Sequence, residues 1–387
     1  MAEGNWGHTW WSRITGPRVF IEQIVSSLSE GRSVALLLPD TCPWLSEMRS
    51  FTAGAIPNHY GLGRLTVDSL RINSGDSATK SPFQLLLGKY ALHDVALRYR
   101  ESMNPQSFLL DQHILKDRII WLEDTPENDP HAWLCFASTW RAKSPEDGLF
   151  VIEVPAHAAG ALTNVAQDNL SLVDYHELVS DYSVSLFNGT LIDEIAPRDT
   201  TNLEQRYLAS LLTSLCGGDV EVAEALTDDL AALRDDPIGA VMNVTKYFEG
   251  SRRAEEEAHV LNLVRANDRE SLERRVWSAQ VEVLFPLIET LRLKIIEALR
   301  SSIETILDEV PVTQYGESVK DVEDVELGTL IYLMACRTEN NERRLYVPDS
   351  ALREEIHLLH SCRNNLAHIS VCPPDQVRQL LALASSS

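Results

Sequence analysis

The chain has 387 residues with 57 acidic and 34 basic side chains, a net charge of −23, and 44% hydrophobic against 24% charged content. That length is too great for one ordinary core and suits two or three domains. Acidity on this scale disfavours non-specific binding to nucleic acid or to an anionic membrane, so any nucleic-acid function has to rest on a local site.

In chain order, the N-terminal run MAEGNWGHTWW is polar and aromatic and carries no apolar stretch of signal-peptide type. No segment approaches the run of about 18 apolar residues that a membrane span needs. Cys42, Cys135, Cys216, Cys336, Cys362 and Cys372 are scattered without C-x-x-C spacing. They predict reduced thiols, not a disulfide scaffold or a zinc ribbon. The expectation is a cytoplasmic protein with no membrane association.

Residues 33–40, 63–72, 118–124, 148–155 and 182–189 read as strands, several of them continuous apolar runs bounded by Asp, Pro or Gly. Residues 17–30, 82–100, 131–141 and 166–179 read as helices between them. That alternation predicts an α/β domain over 1–195 with a mostly parallel sheet. From about residue 200 the strand signal stops. Residues 202–233 give two helices broken at Gly217-Gly218, with Asp219 placed to cap the second. A charged helical stretch completes a linker domain over 196–276. Trp277, Val281, Leu284, Ile288, Leu291, Ile295, Leu299, Ile303 and Ile306 then recur at steps of three and four, predicting a long helix over 277–309 that Pro286 kinks or splits. With further helices at 322–336, 349–369 and 373–384, residues 277–387 predict an all-α bundle.

The layout of the first half resembles a P-loop NTPase of the AAA+ or STAND type. The run IIWLED, ending in Glu123-Asp124, looks like a Walker B strand. The phosphate loop is missing, because the strand at 33–40 is followed by TCPWLSEM, which has no glycine or lysine. Lys80-Ser81 in SGDSATKS stand in the right order, but Ser74 and Thr79 occupy the glycine positions. The simpler reading is a loop in which Ser81 caps a helix and Pro82 takes its first position. The expectation is therefore a degenerate, non-hydrolysing sensor or scaffold. A working NTPase with a divergent loop at Lys80 is the less favoured alternative.

The segment HLLHSCRNNLAH, residues 357–368, carries the chemistry. On a helix, Leu359, Cys362, Leu366 and Ile369 form a core seam, while His357, His360, Asn364 and His368 share a second stripe with Arg363 at its shoulder. A histidine moves protons near neutral pH, and an arginine offers a phosphate a permanently charged fork of donors. Together they suit metal-free RNA cleavage. Asn364 and His368 are four residues apart and can touch across one turn.

At Arg363, Asn364 and His368 the chain resembles the HEPN superfamily, whose signature is Arg, often followed by Asn, with His a few residues on. The resemblance covers about 110 residues. It implies a metal-independent endoribonuclease with a site composed across a homodimer of the C-terminal bundle. It also implies a toxin or anti-phage defence role, with the N-terminal domain receiving a protein trigger. Arg363 would bind the scissile phosphate, His368 would act as acid and base, and Asn364 would position them. Arg343 and Arg344, in the loop before the motif helix, are candidate phosphate contacts on the RNA substrate. This reading calls for no cofactor and no metal: His360 and His368 are about 12 Å apart along a helix axis, too far for one ion. Two alternatives stay open. Arg363 and His368 can be cations that favour a helix C-terminus, or the bundle can be a non-catalytic, dimerising adaptor.

Overall fold

The computed structural model describes residues 5–72, 80–123, 130–165, 168–248, 258–307, 319, 321–337, 341 and 343–386. It forms two compact units, Met1–Phe187 and Asn188–Ser387.

The first unit is built on a five-stranded, all-parallel sheet: β1 Ser33–Leu38, β2 Thr66–Leu70, β3 Arg118–Leu122, β4 Leu149–Pro155 and β5 Leu170–Asp174, in the order β2-β3-β4-β1-β5. β4 is buried along its whole length and β1 nearly so. This explains why both read as unbroken apolar runs: helices cover both faces of a parallel sheet. Helices α1 Trp6–Arg13, α2 Thr15–Ser29, α3 Leu45–Ala55, α4 Pro82–Tyr90 and α5 Pro130–Ser138 belong to this unit. Trp10 and Trp11 of α1 are buried, and Trp11 Nε1 donates to the Pro43 carbonyl at 3.1 Å. The chain passes from β1 to β2 at one edge of the sheet and from β4 across β1 to β5 at the other. The carboxyl ends of β1 and β4 therefore form a topological switch point, where open α/β sheets hold ligands.

Three sequence expectations in this unit are corrected. Residues 182–189 are not a strand but part of helix α6 Asp181–Ile195. Val184, Phe187, Leu191 and Ile192 are its buried apolar residues, at helical spacing that runs past the stretch read as a strand, while Leu186 is exposed. Residues 168–179 are not one helix: Leu170–Asp174 form β5, an edge strand that buries Leu170 and Val173 and leaves Leu172 exposed, and Tyr175–Leu178 add one short helical turn, while residues 166 and 167 lie outside the described residues. The helix expected over 82–100 ends at Tyr90, because Ala91 and Leu92 take extended backbone before a short helix at His93–Ala96.

The second unit is helical. Helices α7 Asn202–Cys216 and α8 Val220–Leu226 break at Gly217-Gly218 as expected, and the Asp219 carboxylate accepts from the Glu221 and Val222 amides. The long helix α10 runs Arg269–Glu304, longer at its start than the apolar pattern indicated. After α9 Val260–Arg265, Asn267 takes a left-handed turn and Asp268 caps α10 through the Ser271 amide and hydroxyl. The charged first turns are then held by Arg269–Glu273 and Arg274–Glu270 pairs one turn apart. Pro286 lies inside α10 without ending it. Helices α11 Leu327–Ala335, α12 Ser350–Ala367 and α13 Pro374–Ser386 follow. Among the described residues no helix is long and apolar enough to cross a membrane.

Candidate functional site

Helix α12 carries the RNNLAH segment. Asp349 caps it by accepting from the Ala351 amide, and Ile356, Leu359, Cys362 and Leu366 bury one face. The expected seam ends one step early. Ile369 is 63% exposed and takes a left-handed backbone, φ 58°. The helix stops at Ala367, His368 becomes its C-cap, and the Ser370 amide folds back onto the Asn365 carbonyl at 2.8 Å. A left-handed backbone costs a non-glycine residue roughly 1–2 kcal/mol, and a β-branched one is unusual there, so the surroundings must impose the turn.

Two side chains of α10, one turn apart, do so. Trp277 Nε1 donates to the Leu366 carbonyl at 2.8 Å, satisfying one of the last carbonyls of α12. The buried carboxamide of Gln280 clamps Cys372: its oxygen accepts from the Cys372 amide at 2.7 Å and its nitrogen donates to the Cys372 carbonyl at 3.2 Å. The same nitrogen lies 3.3 Å from the Tyr207 hydroxyl, whose pKa burial pushes up to about 12. Gln280→Leu leaves an amide, a carbonyl and a phenol buried with no carboxamide partner. The expected loss is about 2–4 kcal/mol, read from urea unfolding.

The motif side chains sit around that fixed helix end. The Arg363 side chain is 30% exposed, with Nε 3.5 Å from Glu289 of α10 and Nη2 3.4 Å from Glu326 just before α11. Both separations exceed the 2.7–2.9 Å of a tight charge-assisted hydrogen bond, so these carboxylates hold the cation loosely. Glu289 also takes Arg292 Nε at 2.8 Å. His368 is exposed beyond the last helical turn. The expected Asn364–His368 contact is replaced by another: Asn364 Nδ2 lies 3.2 Å from His360 Nε2, one turn back along α12. His368, as the C-cap, keeps its backbone bond to the Asn364 carbonyl at 3.1 Å, but its side chain is exposed and makes no contact with the Asn364 carboxamide. Burial, then the charges of His357 and Arg363, hold the His360 pKa below the ordinary histidine value. His357 is exposed, and Cys362 and Cys372 are buried and not joined in a disulfide.

Arg343 and Arg344 lie apart from the motif helix, after α11, where Arg337 and Arg343 form an isolated antiparallel bridge. Arg343 is exposed and Arg344 half-buried, and Arg337 donates to the Asn341 carbonyl at 2.8 Å. Residues 338–340 and 342 of the expected phosphate-contacting loop lie outside the described residues.

The first unit holds a second polar cluster, which motif reasoning missed. Glu153 of β4 is 0% exposed, and Arg49 of α3 grips it with a fork, Nε to Oε1 at 2.7 Å and Nη2 to Oε2 at 2.6 Å. Trp121 Nε1 adds a third donor at 2.7 Å. Arg49 Nη1 reaches on to Glu123 at 2.8 Å, where Arg71 Nε (2.7 Å) and the Ser69 hydroxyl (2.5 Å) also donate. Burial pushes the Glu123 pKa up, but these four hydrogen-bond and charge contributions outweigh it and hold the carboxyl below its ordinary value. Glu123 is the acid that reads as Walker B; its neighbour Asp124 lies outside the described residues. Guanidinium groups thus occupy both carboxylates on the face where a Walker B acid would serve a cation. The available signal was an acid inside an apolar strand, VIEVP, which has to find a cation.

Lys80 and Ser81 follow β2, while residues 73–79 lie outside the described residues. Ser81 caps α4 in a capping box with Gln84, and Pro82 takes the first position. That is the simpler of the two readings of this segment. At the switch point the corresponding groups are Asp40, after β1, and His157, after β4, paired at 2.8 Å. Among the described residues no three His, Cys, Asp or Glu side chains converge as metal ligands.

No family model and no curated protein matches the chain. Among solved structures, that of the Aeropyrum pernix ORC2 protein in ADPNP–ADP complexes is similar at 12% identity, covering 90% of this chain and 92% of that one with a TM-score of 0.32. A likeness of that size assigns neither fold nor function.

Proposed function

We propose that the second unit is a metal-independent endoribonuclease of HEPN type and that the first is a non-hydrolysing, NTPase-like module that regulates it. The observation that carries the reading is the end of α12. Arg363 is loosely held and His368 stands in solvent, on a backbone turn that Trp277 and Gln280 fix despite its strain. Packing requires neither side chain. Arg363 is partly exposed and His368 exposed, which supports a role in meeting a ligand.

In the reaction, the ribose 2′-OH attacks the adjacent phosphorus as its proton passes to a histidine. The 5′-oxygen leaves with a proton, giving a 2′,3′-cyclic phosphate and a 5′-hydroxyl end. Arg363 stabilises charge on the non-bridging oxygens, and His368 moves the protons. A second copy of the chain, joined through the C-terminal bundle, supplies the facing Arg363 and His368. Arg343 and Arg344 contact flanking phosphates, which gives an acidic protein a local cationic footprint. A protein trigger acting through the first unit fits a toxin or defence effector, since constitutive cleavage harms the host.

The saturated Glu123–Arg49–Glu153 cluster supports the inert NTPase-like part of this reading. It equally favours a second reading, an adaptor with no activity in either unit. Expression of wild type and His368→Ala in a bacterial host separates the two. The nuclease reading expects wild type to slow growth and fragment RNA, with the variant harmless at equal abundance. Fragmentation by both chains alike sinks the assignment of His368.

A further inference from the structure

Resting on that nuclease reading, we infer that His360 is a positioning residue of the site: its Nε2 accepts the hydrogen bond from Asn364 Nδ2 and so fixes which face of the Asn364 amide is offered to the substrate. His360 lies outside the Arg–Asn–His signature, and its role follows from its surroundings. The two side chains are 3.2 Å apart and four residues apart on α12, where helical spacing brings them together. Asn364 precedes the helix end by about one turn and is next to Arg363 in sequence, roughly 100° around the helix from it.

A carboxamide has two different faces, a donor nitrogen and an acceptor oxygen, and without a partner it samples both. Only an unprotonated Nε2 accepts. With Nδ2 committed to the ring, the Asn364 oxygen is turned away from His360 and is free to accept, from the 2′-hydroxyl or from a protonated His368 brought up by the partner. The ring is kept in the accepting state by its setting. It is partly buried, with the Arg363 guanidinium and the His357 ring as neighbours on its own helix. From α11, Gly328 comes so close that a Cβ there would stand 3.6 Å from Nε2. The nearby carboxylates, Glu289 of α10 and Glu326 before α11, are directed at Arg363. Protonation of His360 would replace its acceptor with a donor facing an amide donor, and the carboxamide would have to turn over.

Two readouts on the full chain test this. The first needs no activity: long-range proton–nitrogen spectra of imidazole-labelled protein at pH 7, with the His360 signals assigned by their loss in His360→Gln. The expected state is Nδ1–H with bare Nε2, moving toward the Nε2–H tautomer in Asn364→Ala. A protonated Nε2 in wild type, or a tautomer indifferent to Asn364→Ala, overturns the inference.

The second readout is RNA cleavage. His360→Ala should lower kcat on the order of 10-fold through misplacement of the amide, with KM little changed. His360→Gln, whose side-chain oxygen also accepts, should restore most of the rate. An alanine variant as fast as wild type, or a glutamine variant as slow as alanine, overturns the inference. If wild type and His368→Ala cleave RNA equally, or neither cleaves, the nuclease reading fails. The tautomer result then still decides whether His360 fixes Asn364.

Discussion

Arg49→Met lowers the stability of the first unit by about 3–5 kcal/mol, the cost of leaving a buried carboxylate without its partner. Glu153 has no exposure and spends both oxygens on Arg49, with Trp121 sharing one of them. Methionine keeps much of the volume and removes all the donors. Glu123 loses one of its donors at the same time but keeps Ser69 and Arg71. Adding Glu153→Gln to Arg49→Met should recover part of the loss, because a neutral amide tolerates the site better than an unpaired charge. Urea unfolding followed by tryptophan fluorescence reads the difference. A single variant within 1 kcal/mol of wild type contradicts this account of the cluster.

The pH dependence follows with its sign. The Glu123 carboxyl titrates below its ordinary value in the folded protein, so the unfolded chain binds the proton more readily. The stabilisation is complete above the ordinary carboxyl pKa of about 4.3 and is lost as pH falls through the lower folded value. In Arg49→Met the acid-dependent part of the stability should shrink.

If the proposed nuclease reading holds, His368→Ala and Arg363→Ala should each reduce RNA cleavage by about 10²–10⁴-fold, the range for losing a proton-transfer group or an oxyanion partner. The double variant should be little worse than either single one, because groups that act on one transition state lose their effect together. Neither substitution should unfold the bundle. His368 lies in solvent beyond the helix, and the Arg363 pairs at 3.4 and 3.5 Å are of the exposed kind that contributes at most about 1 kcal/mol. Activity and thermal unfolding on the same preparations separate loss of chemistry from loss of fold. Additive losses, or a melted His368→Ala, contradict the assignment.

Much of the architecture was legible because burial on both faces leaves a plain signature. SVALLL and LFVIEVP are continuous apolar runs and are the strands β1 and β4. The failures lie where the run is short. YSVSLFNG alternates like a strand over a few residues, but Phe187, Leu191 and Ile192 continue at helical spacing. LSLVD is an edge strand with one exposed leucine, too brief to separate from a helix by period alone.

The motif helix was legible from its seam, but its end was not. The left-handed turn at Ile369 depends on Trp277 and Gln280, about ninety residues earlier in the chain. Asn364 sits four residues from both His360 and His368, so spacing alone offered two partners, and the helix terminus decides between them. The Arg49 cluster needed the sheet register. Trp121 pairs with Val151, which places Glu153 two residues further along the same face.

The most direct test of the central claim is cleavage of end-labelled RNA by the purified full-length chain in EDTA, with the product ends mapped. The account predicts metal-independent fragments ending in 2′,3′-cyclic phosphate and 5′-hydroxyl, made by wild type and absent with His368→Ala. Intact RNA with wild type across the triggers and nucleotides tried, or fragments that persist with His368→Ala, would contradict it.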